Sequence, residues 1–197
     1  KVIRINKNKK KKFKKKLAEK IITSLSFTLT KSQVKVCSEI ELDLLSHKRM
    51  FRIIQGDVGS GKTIVSLIAA SMVLESNFQC AFMAPTEILA RQHFELAKKI
   101  FINTKINIEF LTGKSEYKLK KKILGELKDG SINLIIGTHA LFQKKIFFKN
   151  LGLIIVDEQH KFGVKQRMNL AKKGGDNCDV LLMSATPIPR TMMMTLY

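Results

Sequence analysis

The chain has 197 residues, a hydrophobic fraction of 45% and a formal net charge of +20, so it is long and apolar enough to bury the core of one sizeable domain. It has no run of 18 apolar residues, so we expect no membrane span, and its basic N-terminus lacks the apolar stretch of a secretory signal. Cys37, Cys80 and Cys178 fit no zinc spacing, which predicts buried free thiols in a reducing cytoplasm.

The first feature along the chain is a basic segment. Residues 1–20 carry eleven Lys or Arg side chains against one Glu, which gives +10 of the total charge. Such a segment attracts phosphate backbones through counterion release, but a solvated linker or helix end in a lysine-biased protein has the same composition. Both interpretations stay open. We expect residues 1–26 to be the basic linker or helix end of a missing N-terminal region, and residues 27–197 to be a domain cut from a longer chain.

Helical and extended patterns then alternate. Val34, Cys37, Ile40 and Leu44 recur at three- and four-residue spacing, which predicts a helix over residues 31–45. Further helices are predicted at residues 63–74, 87–101 and 115–128, and strands at residues 51–55, 80–84, 107–111, 134–137, 153–156 and 180–184. Apolar strands that alternate with helices indicate an α/β fold with a mostly parallel central sheet and helices on both faces. Ligands of such sheets bind at the carboxyl ends of the strands.

A glycine-rich loop separates the first predicted strand from the apolar helix after it. It matches the phosphate-loop pattern G-x-x-x-x-G-K-[ST] with Gly56, Asp57, Val58, Gly59, Ser60, Gly61, Lys62 and Thr63. The glycines let backbone N–H groups approach a phosphate chain closely, Lys62 would reach the β- and γ-phosphates, and Thr63 would hold Mg²⁺. The sequence therefore predicts a nucleoside triphosphate site.

Two further predicted strands end in polar residues. Asp157 and Glu158 follow four apolar residues, so Asp157 is predicted to hold Mg²⁺ and Glu158 to orient and deprotonate the attacking water. Ser184 and Thr186 follow the last strand, where their hydroxyl groups are suited to bond the two carboxylates. Together with the phosphate loop, these residues predict hydrolysis as well as binding.

The phosphate loop, Asp157-Glu158-Gln159-His160 and Ser184-Ala185-Thr186 resemble, in order and spacing, the first RecA-like domain of a superfamily 2 helicase. The resemblance implies that Gln33 reads the adenine base. It implies that His160, Ser184 and Thr186 couple the nucleotide site to the nucleic-acid site. It also implies contacts with the nucleic-acid backbone at Thr86, Arg91, Thr112 and Thr138.

The segments 55–63, 157–167 and 185–191 resemble most closely the RecG family of bacterial ATP-dependent DNA helicases. That family remodels stalled replication forks and branch-migrates Holliday junctions, which implies ATP and Mg²⁺ as cofactors, branched or forked DNA as partner and a second RecA-like domain that is absent here. Because a second domain would supply an arginine worth about 10³–10⁵ in rate, we expect this chain alone to bind nucleotide weakly and hydrolyse it poorly.

Three other functions remain open. The transcription-repair coupling factor shares parts of the same segments and ranks second. An RNA-directed helicase would use similar backbone contacts, because such contacts do not distinguish DNA from RNA. A nucleic-acid-binding module would use the basic segment and carry a vestigial nucleotide site.

Overall fold

The computed structural model describes residues 6–7, 11–158 and 175–186. The α-helices in these ranges are α1 (Lys16–Ser24), α2 (Lys31–Leu45), α3 (Lys62–Glu75), α4 (Glu87–Ile100) and α5 (Tyr117–Asp129). The strands are β1 (Phe51–Gln55), β2 (Gln79–Met83), β3 (Ile108–Leu111), β4 (Leu134–Gly137), β5 (Leu151–Val156) and β6 (Asp179–Ser184).

The six strands form one parallel sheet in the order β1-β6-β5-β2-β4-β3. Parallel pairing brings the carboxyl ends of all six strands to the same edge. At that edge β3 and β4 approach so closely that a Cβ added to Gly137 would lie 1.9 Å from the carbonyl oxygen of Leu111. The backbone there therefore requires glycine, because any side chain would push the two strands apart.

The sheet is covered on both faces, which explains why its central strands are apolar without alternation. Phe82 and Ile155 point into a cluster that also contains residues of α1 to α4. Their neighbours Met83 and Val156 point into a second cluster, which includes Ile123 of α5. Helix α3 is buried on all sides along residues 64–74, which explains why its sequence is mostly apolar and not amphipathic. The predicted α/β fold, with a parallel central sheet and helices on both faces, is confirmed.

The N-terminal segment belongs to the same core, which the sequence analysis did not predict. Helix α1 buries Ala18 and Ile21 in the cluster around α3. Lys7 and Lys11 are buried, and their ammonium groups lie 3.0 and 2.6 Å from the carboxylate of Asp179, at the start of β6. Burial lowers the pKa of Lys7, and the nearby Asp179 carboxylate partly offsets that effect. These two lysines are therefore neither solvated nor accessible to a polyanion, which were the two interpretations of the basic segment.

The six predicted strands and four predicted helices are confirmed, with ends that differ by at most two residues. The start of α5 is one such difference. The Ser115 hydroxyl accepts a hydrogen bond from the backbone N–H of Thr112 at 3.0 Å, and this turn delays the helix to Tyr117. The three cysteines are buried free thiols, as predicted. In the described part of the chain, no helix is long and apolar enough to cross a membrane.

Candidate nucleotide and nucleic-acid site

The carboxyl edge of the sheet divides into two halves. Strands β1, β6 and β5 are neighbours. The phosphate loop follows β1, Ser184 ends β6 and is followed by residues 185–186, and residues 157–158 follow β5. Strands β2, β4 and β3 form the other half, and they are followed by Thr86, Thr138 and Thr112. The residues predicted to act on a nucleotide thus lie in one half, and those predicted to contact nucleic acid lie in the other. The boundary runs between β5 and β2.

The phosphate loop joins β1 to α3 in the predicted strand–loop–helix arrangement. Gly59 and Gly61 have φ values of 81° and 83°, a left-handed conformation that glycine adopts without strain. Gly61 precedes the first turn of α3, whose backbone N–H groups have no partners within the helix. The loop is anchored to β6, since the N–H of Gly56 donates to the carbonyl of Ser184 at 3.3 Å. This geometry offers several donors and the positive end of a helix to a phosphate group.

Lys62 folds over this loop. Its ammonium group donates to the carbonyl oxygens of Gly56 at 2.6 Å and Asp57 at 2.8 Å. These bonds hold the positive charge beside the loop backbone, where a bound phosphate chain would meet it. An ammonium group has three donors, so a phosphate oxygen can add to the existing bonds or replace one of them.

Gln33 links α2 to the phosphate loop. Its side-chain oxygen accepts from the N–H of Thr30 at 2.8 Å, and the Thr30 hydroxyl accepts in return from the N–H of Gln33, which forms a capping box. Its side-chain nitrogen donates to the carbonyl of Ser60 at 2.9 Å. The amide can make two more hydrogen bonds, one as donor and one as acceptor. Adenine recognition by Gln33 therefore stays a prediction, and the contact with the loop is an additional role.

Asp157 is held by a histidine on the other side of the boundary. One carboxylate oxygen, Oδ2, lies 2.7 Å from Nε2 of His93 on α4, and both side chains are about 10% exposed. The imidazole stacks on Phe82 with ring centroids 4.7 Å apart. Because an ionised carboxylate only accepts hydrogen bonds, Nε2 is the donor. The other oxygen, Oδ1, has no partner among the described residues.

Glu158 and the Ser184–Thr186 segment complete the nucleotide half. Glu158 has a φ of 48°, which is uncommon outside glycine and which proteins tend to retain at functional sites. The Ser184 hydroxyl bonds within its own segment, to the carbonyl of Thr186 at 3.0 Å. Among the described residues, the Asp157 carboxylate is bonded by His93 and not by this segment. Coupling through Ser184 and Thr186 stays a prediction.

The oxygen donors at this edge fit Mg²⁺. Magnesium prefers oxygen ligands and is commonly held by one or two protein groups together with phosphates and water. The hydroxyl group of Thr63, in the first turn of α3, and the Oδ1 oxygen of Asp157 are groups of that kind. They match the predicted role of both residues.

The residues predicted to contact nucleic acid differ in accessibility. Thr86 and Arg91 are exposed; the Thr86 hydroxyl caps α4 by accepting from the N–H of Leu89 at 3.3 Å. Thr112 and Thr138 are 3% and 6% exposed, so their side chains are buried at the ends of β3 and β4 and are not accessible to nucleic acid in this structure. A groove of about 630 Å³ runs along α4 beside Arg91 and Lys114. The exposed Lys114, which the sequence analysis missed, is better placed than Thr112 to reach a phosphate.

His93 was not predicted from the sequence, whereas His160, which was predicted to couple the two sites, lies outside the described residues. One signal for His93 is present in the sequence. Ala90, His93 and Ala97 share the buried face of α4, so a polar side chain within that pattern needs a buried partner. The pattern does not say which residue the partner is.

Comparisons with known proteins agree with this geometry. The family described as DEAD/DEAH box helicase matches residues 30–195. The ATP-dependent DNA helicase RecG of Thermotoga maritima is 50% identical over 187 residues, 95% of this chain and 24% of the relative. A solved structure of RecG bound to a three-way DNA junction has a TM-score of 0.83 at 46% identity, covering 95% of this chain and 25% of that one.

A more distant solved structure is that of the DEAD-box helicase Mss116 bound to single-stranded RNA. Its TM-score is 0.72 at 25% identity, and it covers 91% of this chain and 40% of that one. The chain thus spans about a quarter of the length of the RecG relatives. These similarities confirm the predicted resemblance in sequence and in fold.

Proposed function

The chain belongs to the DEAD/DEAH box helicase family, and from that premise we propose that it is the ATP-binding motor domain of a RecG-like DNA helicase. The intact protein would remodel stalled replication forks and branch-migrate Holliday junctions. In this proposal residues 27–197 form the first RecA-like domain, residues 1–26 lead into it from a preceding region, and a second RecA-like domain follows.

The division of the sheet edge is the observation that carries the proposal. Three neighbouring strands deliver the phosphate loop, the acid pair and the Ser184–Thr186 segment, and the other three deliver the residues predicted to bind nucleic acid. A motor needs both sites on one rigid body, so that a change at one is felt at the other. A protein that only binds a nucleotide would not need the residues predicted to contact nucleic acid at the ends of β2, β4 and β3.

Each residue of the nucleotide half has a defined role in this proposal. The N–H groups at the start of α3 and Lys62 bind the phosphate chain and neutralise its charge. Thr63 and Asp157 hold Mg²⁺, which would screen the phosphate oxygens when bound. Glu158 orients a water molecule for in-line attack and accepts its proton. Gln33 binds the adenine edge with its remaining donor and acceptor.

The partner is branched or forked DNA, contacted mainly through its phosphates. Support comes from the 46% identity to RecG, whose solved structure holds a three-way DNA junction, and from the exposed Arg91 and Lys114 beside the groove on α4. Phosphate contacts are independent of base sequence and weaken with salt. We place the protein in the cytoplasm, where DNA and reduced thiols such as Cys80 occur together.

The test compares ATP hydrolysis with and without forked DNA. It uses this chain and a longer chain that adds a second motor domain, each beside a Lys62→Ala control. We expect DNA-stimulated hydrolysis only in the longer chain with Lys62 intact, at least about 10³-fold above this chain alone because the second domain supplies an arginine. Absence of hydrolysis in the longer chain would refute the motor and favour a binding module with a vestigial nucleotide site.

One observation favours a second candidate, an RNA-directed motor. The Mss116 structure contains single-stranded RNA, and its fold resembles this chain with a TM-score of 0.72. The same assay with forked RNA in place of forked DNA separates the two candidates. Stronger stimulation by RNA would replace the DNA proposal, whereas stronger stimulation by DNA would support it.

A further inference from the structure

We propose that His93 is a positioning residue that couples nucleic-acid contact to the magnesium site, through its hydrogen bond to Asp157. The inference rests on the proposed motor function and names the coupling route within this domain. It adds a residue that neither the phosphate loop nor the acid pair contains.

The His93–Asp157 hydrogen bond, the first step of the coupling route, joins the two halves of the sheet edge. Asp157 follows β5, the last strand of the nucleotide half, and His93 lies on the helix that follows β2, the first strand of the nucleic-acid half. Their 2.7 Å contact therefore crosses the boundary between the halves. The backbone crosses at the same level, since the N–H of Asp157 donates to the carbonyl of Met83 at 2.8 Å.

The second step is the helix that carries His93. Thr86 caps the N-terminus of α4, the exposed Arg91 follows within the second turn, and the buried His93 is two residues further on. A helix moves as a rigid element, so a phosphate backbone bound at Thr86 and Arg91 fixes the position of His93 as well. The stack on Phe82 at 4.7 Å holds the imidazole plane and limits its freedom to turn away.

The third step is the effect on the carboxylate. A hydrogen bond to Oδ2 of Asp157 restrains the carboxylate and thereby sets the direction of Oδ1, which has no partner among the described residues and is the oxygen proposed to hold Mg²⁺. Outer partners of metal ligands are worth about 10–100-fold in metal affinity. By linkage, if DNA binding raises the affinity for Mg²⁺ and nucleotide through His93, then nucleotide binding raises the affinity for DNA by the same factor.

The alternative is a purely structural role, in which His93 only provides a hydrogen bond to the buried carboxylate of Asp157 and packs against Phe82. Two substitutions separate the possibilities, because one keeps the ring and the other keeps the donor. His93→Phe retains an aromatic ring on Phe82 but cannot donate to Asp157. His93→Gln loses the ring but can place an amide N–H close to the position of Nε2.

Both variants are made in the intact polypeptide that contains this domain and are checked for folding by thermal melting. Two equilibrium quantities are measured with a fluorescent, non-hydrolysable ATP analogue. The first is the Mg²⁺ concentration that gives half-maximal nucleotide binding. The second is the ratio of forked-DNA affinities with and without the analogue.

For His93→Phe we expect the Mg²⁺ requirement to rise about 10–100-fold and the DNA-affinity ratio to fall toward 1. For His93→Gln we expect both quantities to stay within about threefold of the unsubstituted protein, because the donor is kept. Equal losses in the two variants, or no loss in either, would overturn the proposal.

A measurement on the unsubstituted protein covers the case in which the variants do not fold. The imidazole nitrogen signals of His93 are followed by NMR while Mg²⁺-ADP and forked DNA are added separately. We expect each ligand alone to change the chemical shift of Nε2. An Nε2 signal that does not shift when DNA is added would overturn the proposal. If the unsubstituted protein shows no DNA-stimulated hydrolysis, the motor function itself has failed; if it does but His93→Phe keeps the coupling, only this inference has failed.

Discussion

The buried charge cluster at the base of the sheet gives the sharpest test of how the N-terminal segment is held. The carboxylate of Asp179 contacts the ammonium groups of Lys7 at 3.0 Å and Lys11 at 2.6 Å, and all three side chains are fully buried. It also accepts the backbone N–H of Met50 at 2.6 Å. The substitution Asp179→Asn removes the negative charge and keeps the shape and an acceptor for Met50. Two buried ammonium groups would then lack their counter-charge.

The structure sets the size of the effect. Removing one partner of a buried ion pair costs about 3–5 kcal/mol, because the remaining charge stays desolvated and uncompensated. A lysine can avoid that cost by losing its proton, which takes about 5 kcal/mol at pH 7 for an ordinary pKa. The cost is smaller for Lys7, whose pKa burial already lowers. We therefore expect a loss of about 3–5 kcal/mol, a large share of the roughly 5–15 kcal/mol that stabilises a typical domain.

The assay is urea unfolding at pH 7, with the more accessible ion pair of Lys15 and Glu41 as the control. The charged groups of this pair lie 2.7 Å apart, and the two side chains are 46% and 15% exposed, whereas those of the buried cluster are 0% exposed. Glu41→Gln should cost under about 1 kcal/mol, because solvent screens surface pairs. If Asp179→Asn destabilises the chain no more than Glu41→Gln does, then the buried pairs do not hold the N-terminal segment and the reasoning is wrong.

Three further predictions concern the loop, the thiols and the nucleic-acid face. Gly61→Ala would place a Cβ 2.3 Å from the side-chain nitrogen of Gln33, whereas Gly59→Ala meets nothing within 4 Å. Both have positive φ and should lose about 1–2 kcal/mol, but Gly61→Ala should weaken binding of a fluorescent ATP analogue more than Gly59→Ala does, because it also displaces Gln33, and equal binding by the two variants would contradict this. Burial raises the pKa of the Cys37 thiol from 9.0 to about 11, so the stability that its neutral form contributes is complete below pH 9 and is lost as the pH rises to 11. Cys37→Ala should therefore flatten the fall of unfolding free energy over that range, and an unchanged slope would count against it. Lys114→Ala should weaken DNA binding and lower the slope of log affinity against log salt by about 1, and a slope that stays the same would exclude a phosphate contact.

Much of the fold could be predicted because its signals are local. The strands are short apolar runs, and the capping pair Thr30 and Gln33 lies at the start of its helix. The glycines of the phosphate loop likewise mark their own backbone conformation, with positive φ at Gly59 and Gly61. Features of this kind depend on neighbours in sequence, so a single chain is enough to find them.

The two missed buried charge partners, Lys11 and His93, each depend on a residue that is distant in sequence. Lys11 is buried because Asp179, 168 residues later, lies opposite it, and a run of lysines does not reveal which member meets a carboxylate. His93 is buried for the same reason, with its partner 64 residues away. The burial of Thr112 was missed for another reason, since a motif places a residue at a strand end without fixing its exposure.

The bonding within the nucleotide half explains why this domain alone should bind ATP weakly. Lys62 already donates to two loop carbonyls, and Gln33 already contacts Thr30 and Ser60. Nucleotide binding therefore exchanges or extends existing hydrogen bonds, and a hydrogen bond exchanged for another adds little net free energy. The gain must come from charge, through the start of α3, the ammonium group of Lys62 and Mg²⁺. Charges at an open sheet edge are screened by water, so we infer that closure of a second domain over this edge is what makes them effective.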